Sequence, residues 1–210
     1  MFDYQQFRAE FPYFQQPDAA VYLDNAATAL KPQALIEATL EFYRSAGSVH
    51  RSQYDEKQTA LYELARTRVK NLINAETENA VVWTSGTTQA INMVANGLLP
   101  YFQAGDEIVI SEADHHANFV TWHAIAQKCG AQLRVLPITD DWLIDQNALL
   151  NTLNPKTKLV ALNYVSNVTG TEQPVAHLIE LVRRYSNVLV LVDAAQAVSH
   201  ISIDLQQLDA

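Results

Sequence analysis

Five short segments of this 210-residue chain hold residue types that can do chemistry together. The first is Thr84-Ser85-Gly86-Thr87-Thr88. Placed ahead of a helix, it offers an anion free backbone N–H groups and the positive end of a dipole. Gly86 lets the backbone approach closely, and the hydroxyls of Thr87 and Thr88 add donors. No Gly-Lys-Ser/Thr follows, so this is not a Walker loop. The same residues also suit an ordinary Ser/Thr helix cap on a tight turn. The second segment is Glu112-Ala113-Asp114-His115-His116-Ala117-Asn118. A histidine here can stack on an aromatic ligand or act as an acid/base, while a His pair also fits a plain polar loop. No set of Cys, His and carboxylate residues has convincing metal-ligand spacing, so no metal site is expected.

The third segment is Ser166-Asn167-Val168-Thr169-Gly170, where Asn167 can donate to a ligand oxygen or simply form an Asx turn. The fourth is Val192-Asp193-Ala194-Ala195-Gln196. An aspartate ending an apolar strand needs a cationic partner or a capping role. A protonated pyridine nitrogen is one such partner, and the carboxylate then keeps the ring an electron sink. The fifth gathers Tyr22-Leu23-Asp24-Asn25-Ala26-Ala27-Thr28, Lys31-Pro32 and Val49-His50-Arg51. Asp24 and Asn25 can pin a turn and Arg51 can bind a carboxylate, although surface loops use the same residues.

These segments need elements to hold them. Short Val/Ile/Leu-rich runs at 81–83, 107–110, 133–136, 159–162 and 188–192 read as strands covered on both faces. Amphipathic or helix-length stretches lie at 32–43, 54–72, 88–98, 118–129 and 174–184. In 88–98, Ile91, Val94, Ala95 and Leu98 recur at helical spacing. Pro32 and Pro174 suit the opening of helices. Strand–helix alternation predicts an α/β domain with a mainly parallel sheet, whose ligands sit beyond the carboxyl ends of the strands. Four of the five chemical segments follow such a run.

Bulk properties set outer limits. A formal net charge of −9 argues against a nucleic-acid binder. A single cysteine, Cys129, excludes an internal disulfide. No signal-like N-terminus or membrane-length apolar run is present, so a soluble, cytoplasmic protein with no membrane partner is expected.

Phosphate cup, histidine, asparagine and Asp-x-x-Gln, each after a successive strand, resemble the large domain of fold-type I pyridoxal-phosphate enzymes. The motifs YLDNAATALKP, VHRSQY, WTSGTTQAINMVA, GDEIVIS, DHHANFVTW, VSNVTGT and VDAAQAVSH are similar to the class V aminotransferase family. Within it they resemble the cysteine desulfurases of the selenocysteine-lyase-like group, from about Phe7 to Ala210. The resemblance implies a mainly parallel sheet with helices on both faces, C-terminally incomplete. Residues 1–30 would be a segment near the active-site entrance and 31–210 a partial cofactor-binding domain, with the small C-terminal domain absent. It implies that Gly86, Thr87 and Thr88 hold the phosphate of pyridoxal 5'-phosphate. His115 would stack on its ring as an acid/base candidate, Asp193 would pair with its pyridine nitrogen, and Asn167 and Gln196 would contact its phenolic side. Ala26, His50 and Arg51 would line a substrate entrance, partly from a neighbouring subunit. The implied reaction takes L-cysteine to L-alanine and leaves a persulfide for iron–sulfur cluster assembly or related transfer. The implied partners are an amino-acid substrate, a sulfur-acceptor protein and a second copy of the chain.

In that family the chain continues past Leu208-Asp209 to a strand and a Ser-x-His-Lys motif, whose lysine holds the cofactor covalently and shuttles the α-proton. None of lysines 31, 57, 70, 128, 156 and 158 stands in that context. Cys129, in Lys128-Cys129-Gly130, reads as a structural residue. The chain alone is therefore expected to lack desulfurase activity, to bind the cofactor non-covalently at most, and to expose a strand edge that favours aggregation or dimerisation. Two other readings stay open. One is a non-catalytic remnant that binds the cofactor weakly or binds a sulfur-transfer partner. The other is a related class V aminotransferase or selenocysteine lyase. Borohydride treatment of the chain with added cofactor is expected to leave its intact mass unchanged. A lysine carrying the reduced cofactor would overturn that expectation.

Overall fold

The computed structural model describes residues 2–45, 47–50, 53–185 and 187–209. It forms two compact units, Met1–Arg68 and Val69–Ala210.

In the first unit, helix α1 (Tyr4–Ala9) is capped by Asp3, whose carboxylate accepts from the N–H groups of Gln5 and Gln6 at 3.0 Å. Edge-on aromatic contacts link Phe7, Phe11 and Phe14, and the Arg8 guanidinium lies 3.5 Å over the Phe14 ring. Helix α2 (Gln33–Arg44) follows Pro32, which stands at its N-cap with φ −70°. Helix α3 (Glu56–Leu72) runs on into the second unit.

The second unit contains α4 (Thr87–Leu98), β1 (Glu107–Ser111), α5 (His116–Cys129), β2 (Gln132–Leu136), α6 (Gln146–Thr152), β3 (Thr157–Asn163), α7 (Val175–Val182), β4 (Leu189–Asp193) and α8 (Leu205–Leu208). All strands pair in parallel, in the order β2-β1-β3-β4. Side chains alternate across the two central strands. Ile108, Ile110, Leu159 and Ala161 pack with Ala117, Trp122 and Ile125 of α5 and Ile91 and Ala95 of α4. Val109, Val160 and Leu162 pack on the opposite face with Leu149 of α6 and Leu178, Ile179 and Val182 of α7. Helices on both faces of a parallel sheet make this the α/β architecture that the alternation predicts. Strands β1 and β3 are almost wholly buried, while β2 is mostly exposed and β4 half-buried.

The structure corrects the sequence reading in places. Residues 81–83 are extended but form no strand of the sheet, and Val82 is 65% exposed. The run is only three residues long, between a 3-10 turn at Glu78–Ala80 and the turn at Gly86. Helix α6 escaped notice because its seven residues are too few for a periodic pattern. Its signal was Asp145, which caps it by accepting from Asn147 and Ala148 N–H groups at 2.8 and 3.0 Å. Pro174 stands at the N-cap of α7, one position before the first turn. At the end of α5, Gly130 turns the chain with φ +73°, and a Cβ there would meet the Ala104 Cβ at 3.2 Å.

The amino-terminal end of the sheet carries a paired buried acid. Glu107 Oε1 accepts from Arg134 Nη2 at 2.7 Å and Nε at 3.1 Å, and Oε2 accepts from Asn154 Nδ2 at 2.7 Å. Burial pushes the Glu107 carboxyl up, but the bonds from Arg134 and Asn154, with the charges of Arg134 and Lys156, outweigh it and hold it below its ordinary 4.5. A depressed folded-state value adds stability above the unfolded one and loses it as the pH falls through the folded one. Arg134→Ala is expected to destabilise the chain by about 1–3 kcal/mol near pH 7. In urea unfolding at a series of pH values, the difference from wild type should shrink as the pH falls through the depressed folded-state value. An equal difference at every pH would show that the ion pair is not its source.

Candidate functional site

The strand order places a reversal between β1 and β3. From β1 the chain crosses through α5 on one face to β2, and from β3 it crosses through α7 on the other face to β4. The loops leaving the carboxyl ends of β1 and β3 therefore part, and a crevice opens between them. A cavity of about 300 Å³ lies there, lined by Glu112, Asp114, His115 and His116 from one loop, Ser166, Asn167 and Thr169 from the other, and Trp142 beside them.

His115 is the N-cap of α5, its Nδ1 accepting from the Ala117 N–H at 3.1 Å. In the neutral ring that leaves the proton on Nε2. His115 is exposed, and its ring meets that of His116 edge-on at 6.2 Å. Behind it, Asp114 Oδ2 accepts from the Ser111 N–H at 2.8 Å and Oδ1 from Asn118 Nδ2 at 3.1 Å. Asn118 Oδ1 in turn accepts from Trp122 Nε1 at 2.7 Å. Ser111, Asn118 and Trp122 are fully buried, so the carboxylate points inward although the residue itself is half-buried. Burial pushes Asp114 up to about 7, and the charge of Asp193 adds to this. Hydrogen bonds from Ser111, Asn118 and the Asn163 backbone oppose the rise without cancelling it.

Asn167 is exposed on the loop after β3, which Ser166 shapes by accepting from the N–H groups of Val168 and Thr169 at 3.2 Å. Gln173 anchors the same region. Its Oε1 accepts from the Ile144 N–H and its Nε2 donates to the Trp142 carbonyl, both at 2.9 Å. Asp193, the last residue of β4, accepts at Oδ1 from the Ala195 N–H at 3.0 Å and so caps the turn that carries the half-buried Gln196.

Helix α4 lies beside α5. Asn92 Nδ2, in the second turn of α4, donates to Thr121 Oγ1, in the second turn of α5, at 3.1 Å. The N-termini of both helices therefore reach the carboxyl edge of the sheet. Gly86 stands at the N-cap of α4 with φ +154°, a conformation open to glycine. No side chain caps this helix, and Thr87 is half-buried and Thr88 exposed in its first turn. Thr84 Oγ1 donates to the Gly86 carbonyl at 3.1 Å and fixes the turn.

Of the residues singled out in the sequence, His115 and Asn167 share the cavity, while Gly86, Thr87, Thr88, Asp193 and Gln196 do not line it. The last five stand on the neighbouring α4 N-terminus and β4 end. Ala26 and His50 belong to the first unit. Ala26 lies in a turn closed by Tyr22, whose hydroxyl donates to the carbonyls of Asp24 and Thr28 at 2.9 and 2.6 Å. His50 has φ +59°, and its Nε2 lies 2.7 Å from Glu63 Oε1. Arg51 lies outside the described residues. Sequence reasoning gave no role to Asp114, Asn118, Asn163, Ser166 or Gln173. Asp114, Asn118 and Trp122 are spaced i, i+4, i+8, a helix-face signal open to reading. Among the described residues no His, Cys, Asp or Glu group could hold a metal, and no helix is long and apolar enough to cross a membrane.

A family model described as aminotransferase class-V matches residues 21–210. A probable cysteine desulfurase of Haemophilus influenzae is 70% identical over 203 residues, which cover 97% of this chain and 46% of that protein. The crystal structure of the cysteine desulfurase CsdA from Escherichia coli superposes with a TM-score of 0.89 at 48% identity, over 100% of this chain and 53% of the other. A mutant of the enzyme C-DES, described with glycine covalently linked to its pyridoxal-phosphate cofactor, superposes with a TM-score of 0.83 at 25% identity, over 97% of this chain and 53% of the other. The chain thus spans about half the length of these relatives.

Asp114 gives the site a pH signature. Its folded-state value lies above the ordinary 3.8, so between about pH 4 and 7 the folded chain holds a proton that the unfolded chain releases. The contribution is largest below that window and is lost as the pH rises through it. Wild type is expected to gain stability between pH 8 and 5.5 relative to Asp114→Asn, measured by urea unfolding at each pH. Parallel pH profiles for the two proteins would refute the assignment.

Proposed function

The chain belongs to the aminotransferase class-V family, and on that footing we propose that its second unit is the pyridoxal-phosphate cradle of a cysteine desulfurase. The observation that carries this reading is the start of α4: a glycine N-cap, no side-chain cap, and two threonines in the first turn. Four N–H groups at a helix start need partners, and a phosphate satisfies several at once. A Cβ at Gly86 would meet nothing within 4 Å, so the backbone there is open to close approach.

The other residues fit the rest of such a ligand. His115 offers an exposed imidazole face, held by the bond between its Nδ1 and the Ala117 N–H. Asp193 ends β4 with one carboxylate oxygen fixed by the Ala195 N–H, and its charge suits a protonated ring nitrogen. Asn167 and Gln196 would donate to the phenolic side. The bound group would supply the electron sink that lets bonds at an amino acid's α-carbon break. Within the reading, His115 moves protons at the ring face. A second copy of the chain and a sulfur-acceptor protein complete it as partners. Cys129 has no part in it. Its thiol donates to the Ile125 carbonyl at 3.1 Å, inside the end of α5.

Fluorescence titration with pyridoxal 5'-phosphate and with phosphate-free pyridoxal tests the cradle. Thr87→Ala/Thr88→Ala is expected to weaken the phosphorylated ligand at least about tenfold, the worth of one hydrogen bond to a charged group. It should leave the phosphate-free ligand unchanged. Equal affinity of wild type and variant for the phosphorylated ligand would overturn the reading.

A further inference from the structure

Asn163 ends a strand that is otherwise apolar from Leu159 to Leu162, and it is only 4% exposed. Neither its Nδ2 nor its Oδ1 has a hydrogen-bond partner among the described residues. Burying an unpaired carboxamide weakens a fold, and leucine has the same branched side-chain skeleton without that cost. Its surroundings suggest what the amide is for. Strand β3 lies between β1 and β4 in the sheet. On the β4 side Asn163 pairs in register with Asp193, so the two side chains leave the same face about 5 Å apart. On the β1 side stands Asp114, which interacts with both the Asn163 backbone N–H and the Asp193 charge. The carboxamide, which carries two N–H donors, therefore stands beside the Asp193 side chain.

We propose that Asn163 is a positioning residue for Asp193: when a pyridine-type cofactor binds, its Nδ2, unpaired among the described residues, turns to donate to the Asp193 carboxylate and holds it toward the protonated ring nitrogen. The inference rests on the cofactor reading above and deepens it. Asp193 Oδ1 is already fixed by the Ala195 N–H, and a second donor from the strand beside it would set the carboxylate plane. The amide weakens the empty fold and strengthens the loaded one.

The test uses Asn163→Leu and Asn163→Thr in the full chain, with two probes that have no aldehyde to react with lysines. These are pyridoxine 5'-phosphate and its carbocyclic analogue lacking the ring nitrogen. Asn163→Leu is expected to unfold in urea at the same midpoint as wild type or a higher one. It should bind pyridoxine 5'-phosphate about tenfold more weakly, the worth of a hydrogen bond to a charged group, and bind the carbocyclic analogue as wild type does. Asn163→Thr keeps a donor and should recover most of the lost affinity. Equal loss for both probes, no loss for either, or a leucine variant that fails to fold overturns the inference, since the amide would then be structural or idle. Wild type that folds but does not bind pyridoxine 5'-phosphate overturns the cofactor reading itself, a result distinguishable from the others.

Discussion

Parallel pairing of β1 with β3 is the constraint on which the second unit depends. Parallel neighbours cannot be joined by a tight turn, so each return to the sheet needs a crossover that covers one face. Here α5 takes one face and α7 the other. That division buries β1 and β3 on both sides and makes their central runs, Ile108–Ile110 and Leu159–Leu162, wholly apolar. It also forces the loops after them apart, so a cavity forms at the carboxyl edge as a result of the topology rather than of any local device. The helices that cover the sheet run against the strands, which brings the N-termini of α4 and α5 to the same edge. Buried area and a positively polarised rim thus come from one arrangement.

The two helix starts are finished differently, and the difference matters for chemistry. Helix α5 is closed by its own residues, His115 accepting from Ala117 and Asp114 tying back to Ser111 and Asn118. That closure fixes the imidazole, because a ring whose Nδ1 is already bonded cannot turn freely. Helix α4 has a glycine at its cap, so no N-cap side chain closes it, and Gln89 Oε1 takes the N–H of Ser85, ahead of the cap. One start is built to hold a side chain still and the other to leave backbone donors open to an anion.

The fold was largely legible because buried parallel strands have a strong signature. The apolar runs at 107–110, 133–136, 159–162 and 188–192 all became strands of the sheet. The run at 81–83 looked the same, but strand membership depends on a neighbour that a short apolar run does not specify. Among the site residues, exposed ones on loops were easy to single out because polar residues after strands invite explanation, as with His115 and Asn167, and Asp193 stood out as the acid that ends an apolar strand. The residues that hold them were not. Ser166 and Gln173 act through backbone bonds that have no pattern in sequence, and Asn163 is a single polar letter at the end of an apolar word.

The two ends of β1 show where the unit keeps its strain. Glu107 opens the strand and Asp114 follows its close, both with carboxylates withdrawn from water. Glu107 is matched by a guanidinium and a carboxamide and held below its ordinary value. Asp114 has only neutral donors and faces a second carboxylate, so burial drives it to about 7. Beside it an amide is buried without a partner among the described residues. Packing alone would favour the first solution at both ends, since an unmatched acid and an unpaired amide each weaken a fold. The imbalance lies at the carboxyl edge, where the topology opens its cavity, and the well-paired core beneath β1 and β3 is what allows the edge to carry it.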